Sequence, residues 1–217
     1  MIKTFLCLFT LLTLFSCSSS FKPQQGDLLF QDLDCGSDCE AIELVTSGIE
    51  NTNLSHIGMI YIENNQTFVL EAIPPKVKLT PLKEFLGRSE DAHGKPKVMV
   101  GRIYSKDVKF LKRALKQAKA RIGMPYDDLF LYNNGKYYCS ELIYDVFKRA
   151  NYNKPFFDLK PMTFKAPGDS RFLPSWIAYY DKIHAPIPEG ELGINPAGIS
   201  HSDHLKIIHH YGELSKK

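Results

Sequence analysis

Apolar residues at positions 139, 142, 143, 146, 147 and 150 (Cys, Leu, Ile, Val, Phe, Ala) follow the spacing i, i+3, i+4, i+7, i+8, i+11. That spacing predicts one amphipathic helix with a continuous buried stripe. Asn133-Asn134-Gly135 supplies a turn just upstream, so Cys139 falls near the first turn of the helix and on its core side. A cysteine there meets the positive end of the helix dipole, a setting in which nucleophilic thiols occur. The same position also suits an inert buried cysteine.

A second helical pattern covers residues 106–122, with Val108, Leu111, Leu115, Ala118 and Ile122 on the apolar side and lysines opposite; Gly123 and Pro125 end it. Strand patterns cover residues 26–31, 57–62, 67–73 and 97–103, and a strand end follows Lys76. Short helices are expected at 41–47, 82–86 and 174–180. The region after Ala150, rich in Pro and aromatic residues, reads as a long wrapping tail, and positions 185–204 carry no pattern that assigns an element.

The two strands at 57–62 and 67–73 flank Glu63-Asn64-Asn65-Gln66, a strong hairpin signal. With Asn64 and Asn65 as the turn, His56 faces Ile73 and has Glu71 as its diagonal neighbour on the same face. A slip of one pair sets His56 directly opposite Glu71. Either register offers an imidazole with a carboxylate in reach. Glu71 stands inside Phe-Val-Leu-Glu-Ala-Ile, where a charge is costly unless paired or unless that face is wet.

The first residues add a targeting signal. Lys3 precedes an apolar run from Phe5 to Phe15, too short to span a membrane and of the length of a secretory core. Leu14-Phe15-Ser16 before Cys17 resembles the lipobox of bacterial lipoproteins, which implies cleavage before Cys17 and lipidation of its thiol. Residues 1–16 then form the signal peptide, 17–25 a lipidated tether, and 26–217 a single catalytic domain. The expected location is the bacterial cell envelope, anchored to a membrane on its periplasmic or outer-membrane face.

Composition fits one domain with a substantial core: 44% of residues are hydrophobic and 12% aromatic. The formal net charge is +3, with no basic stripe interleaved with aromatics, so nucleic acid is not an expected partner. The sequence carries no signal for oligomeric state. Of five cysteines, Cys7 leaves with the signal and Cys17 takes the lipid. Cys35 and Cys39 fit either a small disulfide-closed loop or two free thiols. No second ligand pair stands at zinc spacing, so neither a metal nor another cofactor is expected. Cys139 is left single, and an unpaired cysteine in an exported protein needs a reason.

A cysteine nucleophile needs a base, and the base needs an orienting group. Cys139, His56 and Glu71 supply those three types. His201, His204, His209 and His210 lie in a polar tail and His93 in a turn-like stretch, while His184 remains a second candidate base.

Ile122-Gly123-Met124-Pro125-Tyr126 followed by Tyr138-Cys139-Ser140 resembles the signature around the nucleophile of NlpC-type papain-like peptidases. In those enzymes the histidine follows the cysteine; here Ser55-His56-Ile57-Gly58 precedes it, the order of the circularly permuted YiiX/YaeF-like amidases. Leu70-Glu71-Ala72, Thr80-Pro81-Leu82 and Gly26-Asp27-Leu28-Leu29 resemble that branch as well. The resemblance covers residues 26–180. It implies an α+β papain-like fold in which an antiparallel sheet packs against the helix bearing the nucleophile. It further implies Cys139 as nucleophile, His56 as general base, Glu71 as orienter and Tyr126 as oxyanion donor. Two positions depart from the family pattern: Tyr138 replaces the usual Asp, and Glu141 stands where Gly is common. The expected substrate is an amide, such as a small peptide or an N-acyl amino acid. A lipid ester handled as in lecithin-retinol-acyltransferase-like relatives is the alternative, and a non-catalytic binding lipoprotein is a third reading.

Overall fold

Asn64 and Asn65 both adopt positive φ, 52° and 60°, the conformation of a two-residue hairpin turn that matches strand twist. This fixes the pairing of β2 (His56–Glu63) with β3 (Gln66–Ile73), in which Met59 faces Leu70 and Glu63 faces Gln66. In this computed structural model, which describes residues 21–105, 107 and 109–217, the hairpin forms the second and third strands of a six-stranded antiparallel sheet. The expected signal peptide and Cys17 lie outside the described residues.

β1 (Leu28–Gln31), β4 (Lys76–Pro81), β5 (Val98–Ile103) and β8 (Leu205–His210) complete the sheet in the order β4-β3-β2-β1-β5-β8. A separate two-stranded ribbon pairs β6 (Lys160–Pro161) with β7 (Leu192–Gly193). The helices are α1 (Ser37–Val45), α2 (Leu82–Leu86), α3 (Phe110–Lys119), α4 (Cys139–Ala150), α5 (Pro174–Lys182) and α6 (Pro196–Ser200).

Alternation along the strands sorts the core into two faces. Leu28, Phe30, Ile57, Met59, Leu70 and Ala72 pack with the buried stripe of α4, which lies on β2 and β3 with α3 beside it. Leu29, Ile60, Val69, Val98 and Val100 point the other way, onto Phe85 of α2. A third cluster joins Ala41 of α1 to Trp176 and Tyr180 of α5 and to Phe164.

Three expectations are corrected. The helix expected at 106–122 is Phe110–Lys119; Val108 lies outside the described residues. Ile122 is 40% exposed instead of buried, because the chain leaves the helix at Ala120 and turns through Gly123 at φ 90°. The helix expected at 41–47 starts earlier, at Ser37, and takes Cys39 into its first turn, where a disulfide ties it to Cys35. The unassigned stretch 185–204 contains β7 and α6, and the polar tail that follows supplies the edge strand β8.

Candidate active site

Glu71 occupies β3 on the face that α2 covers, not the face on which α4 packs. It shares that face with Val69, and Gly58, opposite on β2, approaches Val69 and the Glu71 Cβ so closely that any side chain there would collide with Val69. His56, two residues before Gly58, points the same way and meets the Phe85 ring at 5.8 Å. Its Nε2 lies 2.6 Å from Glu71 Oε2. The diagonal placement seen in the hairpin sequence therefore closes into a direct contact.

Glu71 is fully buried, and no lone pair is wasted. Arg88, in the turn after α2, donates from Nη1 to Oε2 at 2.8 Å and from Nη2 to Oε1 at 2.6 Å. Thr80 of β4 donates its hydroxyl to Oε1. Burial by itself raises a carboxyl pKa, but hydrogen bonds from His56, Arg88 and Thr80 outweigh it and hold Glu71 well below the ordinary carboxylate range. The Arg88 guanidinium also lies over the Phe85 ring, 5.2 Å from its centroid.

His56 is the first residue of β2, so its ring sits at the end of the strand, where the N-terminus of α4 meets it. Burial pushes its pKa down, while Cys139 and the hydrogen-bonded Glu71 beside it prevail and raise it to about 9. Since Nε2 is engaged by Glu71, Nδ1 is the nitrogen left for the thiol. Among the described residues the free cysteine is Cys139, and it is buried.

Tyr126 is carried to the site by the chain that precedes α4. Asp127 N–H donates to the Tyr137 carbonyl at 3.1 Å and Tyr137 N–H to the Pro125 carbonyl at 3.1 Å, which lays residues 125–127 alongside the entry to the helix. Burial first, then the nearby Cys139, pushes the Tyr126 phenol well above its usual range, so it keeps its proton and can donate it in a hydrogen bond. The backbone N–H groups of the first turn of α4 have no intrahelical acceptor and are also available to an anion.

Cys139 forms part of the wall of a cavity of about 540 Å³. Phe130, Phe156, Phe157, Phe164 and Trp176 make its apolar side. The segment around Ile194 closes another side, held by two contacts to the start of α4. Ser140 Oγ donates to the Ile194 carbonyl at 2.8 Å, and Ile194 N–H donates to the Tyr138 hydroxyl at 3.2 Å.

The sequence of residues 22–209 matches the family described as permuted papain-like amidase enzymes, YaeF/YiiX, C92 family. The chain belongs to the permuted papain-like amidase family. It is accordingly an enzyme of the cysteine hydrolase class, with the mixed α+β architecture described above. Over 132 residues it is 36% identical to the uncharacterized protein YiiX of Escherichia coli K12, a match that spans 60% of this chain and 60% of that relative. A crystal structure described as that of the metalloprotein YiiX from Escherichia coli O157:H7 superposes with a TM-score of 0.71 at 26% identity, covering 89% of this chain and all of that one.

Of the residues singled out in the sequence, Cys139, His56, Glu71 and Tyr126 stand together within the amidase fold. Cys35 and Cys39 are bonded to each other at the start of α1. His184 is exposed at the end of α5 and takes no part in the group. Arg88 and Thr80 were missed; the signal available for them was the cost of Glu71, which needs more than one imidazole to offset it. The tail histidines were misjudged as a set. His201 and His204 line the cavity, His204 stacked on Phe156 at 4.4 Å, whereas His209 and His210 belong to β8.

Proposed function

We propose that this amidase hydrolyses an amide bond of a small peptide or an N-acyl amino acid in the bacterial cell envelope, through Cys139, His56 and Glu71 and a thioester intermediate. The observation that carries this reading is the position of His56, buried 2.6 Å from the carboxylate of Glu71 and close enough to Cys139 for that residue to raise its pKa. The proton of Cys139 passes to His56, and Sγ attacks the acyl carbon. Tyr126 and the first N–H groups of α4 stabilise the oxyanion, each donor contributing about 3 kcal/mol in comparable sites. The imidazolium protonates the leaving nitrogen as the C–N bond breaks. His56, now neutral, takes a proton from water; the oxygen adds to the thioester, and the C–S bond breaks to return the thiolate.

A lipid ester is the second substrate reading, and the aromatic wall of the cavity favours it: Phe156, Phe157 and Phe164 suit an acyl chain better than a charged peptide. Lipidation at Cys17, with 17–25 as a tether, would hold the domain beside a membrane under either reading. A panel of N-acyl amino acids, peptide anilides and p-nitrophenyl esters, assayed with wild type and Cys139→Ala, separates the two. Cleavage of amides lost in Cys139→Ala supports the first; cleavage of long-chain esters alone supports the second.

The relative described as a metalloprotein raises a metal for this chain. Among the described residues no group of three or more His, Cys, Asp or Glu is placed to hold an ion. Both oxygens of Glu71 are already taken by Arg88, Thr80 and His56. The described residues therefore do not fit a metal. Stoichiometric zinc in the purified protein would overturn that conclusion.

A further inference from the structure

Arg88 and His56 converge on one atom. Arg88 Nη1 and His56 Nε2 lie 2.8 Å and 2.6 Å from Glu71 Oε2, so a permanent cation and a titrating one flank the same carboxylate oxygen. Arg88 is held from two more sides, by the Phe85 ring and by its second bond to Glu71 Oε1. The other charged groups nearby are weaker neighbours. Lys78, opposite Glu71 across β3–β4, and the exposed Glu84, 4.0 Å from both Lys78 and Arg88, lie toward solvent. From the α4 side the titrating groups are Cys139 and Tyr126. From β1 the neighbour is the uncharged Gln31, which donates to the Phe85 carbonyl.

We propose that Arg88 is a positioning and charge-balancing residue for His56, acting through Glu71, which lets the imidazole release its proton once the thiolate has been consumed. The inference rests on the Cys139–His56–Glu71 reading above. Once the proton of Cys139 has passed to His56 in that mechanism, the group holds two cations, Arg88 and the His56 imidazolium, and two anions, Glu71 and the attacking sulfur. Formation of the thioester removes one anion, as Sγ becomes bonded to the acyl carbon. The imidazolium gives its proton to the departing nitrogen, and the remaining charges of Glu71 and Arg88 cancel. His56 stays neutral and is ready to take a proton from water. Without Arg88, Glu71 faces the imidazole as an uncompensated anion and favours imidazolium, which has no lone pair with which to accept that proton. Acylation needs imidazolium and deacylation needs imidazole, so loss of Arg88 should slow the second step and spare the first.

The test is the burst kinetics of p-nitrophenyl acetate from pH 5 to 10, in wild type, Arg88→Gln, Arg88→Lys, His56→Ala and Cys139→Ala. Arg88→Gln should keep the burst but release acetate about 10-fold more slowly at pH 7, with the deacylation midpoint moved up by about one unit. Arg88→Lys keeps the charge without the fork and should restore most of the midpoint. Coincident profiles for Arg88→Gln and wild type, with the burst still lost in His56→Ala, would overturn the role of Arg88 alone. A burst that survives in Cys139→Ala, or that wild type lacks, would instead overturn the underlying reading. A second measurement avoids any folding defect of the variants: the His56 ring is titrated by NMR in wild type before and after alkylation of Cys139 with iodoacetamide. The balance requires the imidazole to titrate at lower pH in the alkylated protein, and an unchanged or higher midpoint contradicts it.

Discussion

The Ser140 hydroxyl donates to the carbonyl of Ile194 at 2.8 Å, joining the residue after Cys139 to a segment more than fifty positions away. Both groups are buried, and the bond is one of two that set the wall beside the nucleophile. Ser140→Ala leaves the Ile194 carbonyl short of a donor, which typically costs about 1–2 kcal/mol. Urea denaturation should show that loss. Limited proteolysis should cut between 185 and 204 faster than in wild type, whereas cleavage unchanged there would mean that the bond does not hold the segment.

His56 makes stability fall at alkaline pH. Its folded pKa is raised from 6.5 to about 9, so the folded form holds a proton that the unfolded chain has lost. The stabilisation is fully present below about pH 6.5 and disappears as pH rises through about 9. Glu71 acts at the acid end: its folded pKa is depressed from 4.5, so its contribution is present above that value and is lost toward lower pH. Denaturation midpoints of wild type and His56→Gln, measured from pH 6 to 10, should converge as pH rises. A gap independent of pH would contradict the assignment.

Glu141 works against the fold at high pH. Its Oε1 accepts the Asn133 N–H at 2.7 Å while Oε2 is buried without a partner among the described residues. Burial raises its pKa from 4.5 to about 8, so the folded form resists ionisation and stability declines between those values. Glu141→Gln keeps a carbonyl for Asn133 and removes the charge. Its melting temperature should gain on wild type from pH 5 to pH 9, and a constant difference would sink the explanation.

The disulfide closes a loop of only a few residues, so little chain entropy is at stake. Cys35→Ser/Cys39→Ser should lower stability by about 2 kcal/mol or less and leave Cys139 chemistry intact, because neither residue lines the cavity with Cys139. A parallel loss of turnover would show that α1 has a closer tie to the site.

The hairpin was legible because its turn is local: two Asn residues set the register, and the register brings His56 to Glu71. The stripe of α4 was legible for the same reason, since periodicity needs no distant partner. Arg88 was not. It stands in a turn after a five-residue helix, and only the folding of α2 back over the sheet brings it to Glu71. Nor did the sequence reveal that α4 packs on the face opposite Glu71, with His56 meeting Cys139 from the end of its strand. The wall near Ile194 is held through backbone groups, which every residue type carries, so no residue pattern announces it. β8 escaped because an edge strand of alternating half-exposed residues, two of them histidines, resembles a polar tail.

The most direct test of the account is alkylation of Cys139 by iodoacetamide at pH 7, followed by intact mass in unreduced protein, where Cys35 and Cys39 are bonded to each other. Wild type should label fast, and His56→Ala should label at least about 10-fold more slowly, since the thiolate is the reacting form and the imidazole is its partner. Glu71→Ala should fall between them. Equal rates in wild type and His56→Ala would contradict the pairing of Cys139 with His56 and leave the catalytic assignment without its base.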